Sequence, residues 1–153
     1  MKGSYLLIIW LDEEKRIMTK GREFDLNRGF YVYVGSAMNS LEKRVERHFR
    51  REKKLHWHID FLLEKGRLLR AYLIPSGERL EEVLSREVSK YGEPVEGFGA
   101  SDIGVPSNLY RFEGGPDDVL ISILEERKLD WKRIKSPDEI KDMGERYETE
   151  NSR

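Results

Sequence analysis

The run Ser4-Tyr5-Leu6-Leu7-Ile8-Ile9-Trp10-Leu11 limits the fold more than any other stretch. Strand side chains alternate, so Tyr5, Leu7 and Ile9 share one face and Leu6, Ile8 and Trp10 the other. Neither face is polar. Such a strand predicts a central place in a sheet, covered on both sides. The run is too short to span a bilayer. At 153 residues the chain can hold one domain with a real core.

The stretch Phe30 to Asp60 carries the other strong signal. A tyrosine-rich strand, Phe30 to Gly35, places Val32 and Val34 on one face and Tyr31 and Tyr33 on the other. Gly35 ends it, permitting a close approach by another group. Ser40 is a good N-cap for a helix from Leu41 to Glu52, buried along Leu41, Val45 and Phe49. Arg44 and His48 stand one turn apart beside that stripe. Arg47 lies further round, and Arg50 and Arg51 point outward. Leu41 to Lys54 holds seven Lys/Arg against three Glu, although the whole chain has a net charge of −1. A basic helix on a neutral protein suggests a phosphate-binding face, or simply a solvated helix with internal ion pairs.

Composition closes some routes. There is no cysteine, so disulfides and thiolate metal sites are excluded. The N-terminus lacks a signal peptide's pattern, and the expectation is a cytoplasmic protein that does not enter membranes. Glutamine is absent while Lys, Arg and Glu abound, a hint of a thermophilic source.

The remaining pattern predicts an α+β domain over residues 1–128. Its small, mostly antiparallel sheet would have three to four strands flanked by helices. Ile17 to Thr19 reads as a short strand and Gly21 to Arg28 as a loop anchored by Phe24 and Leu26. His56 to about Glu64 reads as a short helix, Leu68 to Ile74 as a strand and Glu78 to Tyr91 as a helix. Gly92 to Pro106 forms a long glycine-rich loop, Leu109 to Phe112 a strand and Asp117 to Lys128 a helix. Residues 129–153 read as a polar extension, helical or mobile, with a helix from Ser136 to Arg146.

Gly3-Ser4-Tyr5 on the first strand, Tyr33-Val34-Gly35 on its partner, then Arg44 and His48 on the next helix resemble the GIY-YIG nuclease domain. His-Trp-His-Ile-Asp at 56–60 and Gly-Phe-Gly-Ala-Ser-Asp at 97–102 further resemble a compact, mainly archaeal branch, the Uri-type endonuclease-like proteins. The resemblance covers roughly Lys2 to Phe112. It implies a divalent-metal-dependent endonuclease, with Mg2+ or Mn2+, hydrolysing DNA phosphodiester bonds in repair or processing. On that basis Tyr5, Tyr33, Arg44 and His48 are the catalytic candidates. One phenol, its pKa lowered by a nearby cation, would deprotonate water while the other positions it. Arg44 would stabilise the phosphorane, and His48 would shuttle a proton or touch phosphate. Glu81 would hold the metal, with Glu82 and Glu87 as rivals. Arg47, Arg50, Arg51 and His58 would contact nucleic acid.

Each residue also has a plain alternative. The tyrosines can be packing aromatics, the arginines surface charges, and Glu81 a helix-surface acid. His56 and His58 diverge on a helix and make a poor metal pair. Asp60 can cap or pair with an arginine. Relatives in the branch carry Cys and His where this chain has Glu82, Ile103, Val105 and Asn108. Two other functions stay open: a non-catalytic nucleic-acid-binding module of the same fold, and an interaction protein using its acidic C-terminal third.

Overall fold

A computed structural model describes residues 1–99 and 104–140. The chain is α+β. β1 (Gly3–Leu11) is central, antiparallel to β4 (Gly29–Ala37) on one edge and to β5 (Arg67–Pro75) on the other. Outside β4 lie β7 (Leu109–Phe112) and then β6 (Glu93–Pro94), and outside β5 lies β8 (Lys132–Ile134). The strand order is β6-β7-β4-β1-β5-β8, and every pairing is antiparallel. The sheet is therefore wider than three to four strands. The additions are edge strands of two and three residues, too short to stand out in the sequence.

The two faces of β1 feed two cores. Tyr5, Leu7, Ile9 and Leu11 pack with Leu41 and Val45 of α1 (Leu41–Phe49) and with Ile59 and Leu62 of α2 (His58–Lys65). Leu6 and Ile8 pack on the other side with α3 (Glu81–Val88) and α4 (Asp117–Glu126). This double burial explains why the strand carries no polar face.

Several boundaries move. Arg22–Leu26 is not a loop but β3, paired with β2 (Lys15–Thr19) as a separate hairpin. Phe24 and Leu26 are its buried positions, as the alternation of strand side chains requires. α1 ends at Phe49 rather than Glu52. Its last carbonyls, those of Arg47, His48 and Arg50, accept hydrogen bonds from the Lys53 ammonium. Ser40 caps the other end by accepting from the Lys43 N–H at 3.3 Å. Beyond Lys128 the chain first returns as β8 on the edge of β5, with Ile134 fully buried. The helix expected from Ser136 to Arg146 lies partly outside the described residues; positions 137–140 are helical. Among the described residues, no helix is long and apolar enough to cross a membrane.

Candidate functional site

Register decides the site. Tyr5 faces Gly35, and Leu7 faces Tyr33. Tyr5 and Tyr33 are therefore diagonal neighbours on the α1 face, with ring centroids 6.3 Å apart. The Tyr5 ring lies over Gly35, where a Cβ would stand 2.5 Å from the phenol oxygen. Only glycine leaves room for that approach.

α1 brings two groups to the pair. His48 is 2% exposed, and its Nε2 lies 2.8 Å from the Tyr5 hydroxyl. Its Nδ1 is buried without a partner among the described residues. Burial, then the Lys53 charge, pushes the imidazole down to about 3, so it is neutral. Arg44 donates to the Ser36 carbonyl at 3.3 Å and forms no ion pair among the described residues. Its charge remains directed at the tyrosines.

Glu81 arrives from the opposite layer, at the first turn of α3. Its carboxylate is close enough to raise both phenols. The rivals are engaged elsewhere: Glu82 with Arg86 at 2.7 Å, and Glu87 with Lys90 and Arg127 at 2.9 and 3.0 Å. Of the five residues that resemblance grouped together, Tyr5, Tyr33, Arg44 and His48 thus gather at one end of the sheet, with the Glu81 charge within electrostatic reach of both phenols.

The electrostatics reverse one expectation. Neither phenol is lowered. Burial raises Tyr5 well above the usual phenol range, and the Arg44 charge only partly opposes it. Burial, then Tyr5 and Glu81, raises Tyr33 as well. Both phenols are protonated near neutral pH and act first as hydrogen-bonding groups.

Two of the expected nucleic-acid contacts are occupied within the protein. Arg47 forks onto Asp60 at 2.7 and 2.9 Å and donates to the Lys54 carbonyl. Asp60, fully buried, also accepts from the backbone N–H groups of His56 and Trp57, both at 2.9 Å. Burial pushes its carboxyl up, but Arg47 and the two N–H donors outweigh that and hold it down to about 2. Sequence left Asp60 between capping and pairing; it does both. His58 packs against Phe24 and Phe98, and its Nδ1 accepts from the Gly99 N–H at 3.4 Å. Burial, then the Arg22 charge, lowers its pKa. It tethers the loop that begins at Gly97; Ala100 to Ile103 of that loop lie outside the described residues.

Arg50 and Arg51 do remain exposed, and both line a groove of about 1010 Å³. Lys65, Arg67 and Lys135 join them there, with Asp12, Glu52 and Glu64 as opposing charges. His48, whose ring meets Tyr5, is also among the residues lining the groove. The contributions of Lys65, Arg67 and Lys135 had no sequence signal, because they come from three separate elements.

Among the described residues, no three His, Asp or Glu side chains cluster as a ready-made metal cage. The Glu81 carboxylate, within electrostatic reach of the two hydroxyls, is of the type that suits a hard cation keeping most of its water and substrate oxygens. No curated protein and no solved structure matches the chain. The family described as "Domain of unknown function DUF123" matches residues 4–129, and the chain belongs to that family.

Proposed function

We propose that this protein is a divalent-metal-dependent endonuclease of GIY-YIG type, in the Uri-like branch, that hydrolyses DNA phosphodiester bonds. One observation carries the reading: Tyr5, Tyr33, Arg44 and His48 gather at one end of the sheet, with the Glu81 charge within electrostatic reach of both phenols. Arg44, which forms no ion pair among the described residues, is the cation that would balance charge on a pentavalent phosphorus. Tyr33 is partly exposed, and its hydroxyl has no partner among the described residues, leaving it free for water or phosphate. Tyr5, hydrogen-bonded to the neutral His48 imidazole at 2.8 Å, would orient the attacking water rather than deprotonate it, because the phenol is raised and the imidazole is held far below neutrality. Glu81 is the residue that would hold Mg2+ or Mn2+, which would supply Lewis-acid stabilisation of the phosphate oxygens. The DNA backbone would run past His48 into the groove bearing Arg50, Arg51, Lys65, Arg67 and Lys135. That course suits a role in DNA repair or processing rather than base reading.

The test is nicking of a supercoiled plasmid by the full chain with Mg2+ or Mn2+. Tyr33→Phe and Arg44→Ala should each lower the rate by roughly a hundredfold or more. Equal rates in parent and both variants would expose a contaminant. A second reading, a nucleic-acid-binding module without catalysis, is favoured by the raised phenols and by the lack, among the described residues, of a cluster of three metal-ligating side chains. It predicts salt-sensitive binding to the same plasmid with no nicking.

A further inference from the structure

Arg44 must hold one position to act on a transition state, and its hydrogen bond to Ser36 is long, at 3.3 Å, with the Tyr5 hydroxyl as a second polar neighbour. A further restraint lies in the turn before α2. The guanidinium carbon of Arg44 sits 4.4 Å from the centroid of the Trp57 ring. The guanidinium carbon of Arg47 sits 4.5 Å from the same centroid. A flat aromatic ring shared by two cations restrains both through the attraction of its π face. The like charges of Arg44 and Arg47 would otherwise repel.

Asp60 holds that arrangement from below. Its carboxylate takes the Arg47 fork and the Trp57 backbone N–H together, so one buried group fixes the ring's anchor and the second cation. It also neutralises Arg47, while Arg44 forms no ion pair among the described residues. The route from Asp60 to Arg44 is one of direct contacts: carboxylate to fork and backbone, fork and backbone to ring, ring to guanidinium.

We propose that Trp57 and Asp60 are positioning residues for Arg44, acting through the shared stack with Arg47. The assignment rests on the endonuclease reading for its kinetic consequence, though not for its geometry.

Two measurements test it on the full chain. The first needs no activity. The Arg44 Nε–H resonance of metal-free, ¹⁵N-labelled protein should be displaced by the Trp57 ring current. Asp60→Asn does not touch Arg44, yet it should reduce that displacement and broaden the signal. The second is a double-mutant cycle on plasmid nicking with Mg2+. Trp57→Leu should lower kcat about ten- to a hundredfold with KM little changed, as misplacement of a reacting group does. Trp57→Phe, which keeps an aromatic face, should restore most of the rate. Arg44→Ala/Trp57→Leu should cut no more slowly than Arg44→Ala alone, since one residue works through the other. Additive losses, or a KM effect alone, would instead make Trp57 a direct contact to DNA and overturn the proposal. So would an Arg44 resonance unmoved in folded Asp60→Asn. A parent that does not cleave removes the endonuclease reading and leaves the resonance to decide this one.

Discussion

Each face of the sheet carries a buried tyrosine with arginines around it, and the two clusters behave differently. On the α3–α4 face, Tyr72 donates to Asp117, which also takes Arg70 (2.8 Å from Nε) and stands 3.8 Å from Arg133. On the α1 face, Tyr5 meets a neutral imidazole, and Arg44 has no carboxylate partner among the described residues. Burial, then Asp117, pushes Tyr72 up to about 12, and burial raises Tyr5 too. Raised phenols are thus common to both clusters and do not separate structure from function. The state of the cations does. Arg70 is neutralised and ties β5 to α4, whereas Arg44 forms no ion pair among the described residues, which under the proposed reading leaves it for a phosphate.

The sharpest way to break this contrast is to remove each arginine. Arg44→Ala should lower plasmid nicking by roughly a hundredfold or more while changing stability by less than about 1 kcal/mol. Arg70→Ala should cost roughly 1–3 kcal/mol in denaturant melts, because the pair is partly solvated, and leave nicking near the parental rate. Exchanged outcomes would reverse the two assignments.

Acid sharpens it next. His48 is lowered from 6.5 to about 3, so the unfolded chain binds the proton first. The stability this gives is fully present above about pH 6.5 and is lost as pH falls. Between pH 6 and 4 the unfolding free energy should fall by at most about 1.4 kcal/mol per unit, and His48→Gln should flatten that slope. A parental curve that is already flat would mean the imidazole is not buried. Asp60 adds a second loss only further down, between about 3.8 and 2. The smallest effect belongs to the groove. Arg67→Glu with Lys135→Glu should weaken plasmid binding a few-fold and reduce the salt slope by roughly two, leaving nicking at saturation unchanged. Unchanged binding would remove the groove from the DNA path.

Much of this was legible. Alternation along Ser4 to Leu11 fixed the central strand, and alternation along Phe30 to Gly35 put Tyr33 on the face opposite Val32 and Val34. Ser40 announced its helix. The convergence of Tyr5, Tyr33, Arg44, His48 and Glu81 came from resemblance, since residues so far apart leave no local pattern. The failures share a cause. Phe24 and Leu26 alternate like a strand, but a charged pentapeptide reads as a loop until its hairpin partner is seen. Arg47 looked like a free cation because its acid lies 13 residues away. The phenols were expected to be lowered because a neighbouring charge can be guessed from sequence, whereas the depth of burial that outweighs it cannot.

The pairing of β1 on both edges has a last consequence. Because its residues alternate between two cores, sliding the strand by one place would present Leu6 to His48 and drive Tyr5 among the side chains of α3 and α4. Neither core tolerates that exchange. The placement of the candidate groups is thereby inherited from the hydrophobic partition itself: any molecule whose interior has sorted correctly already holds Tyr5 against His48.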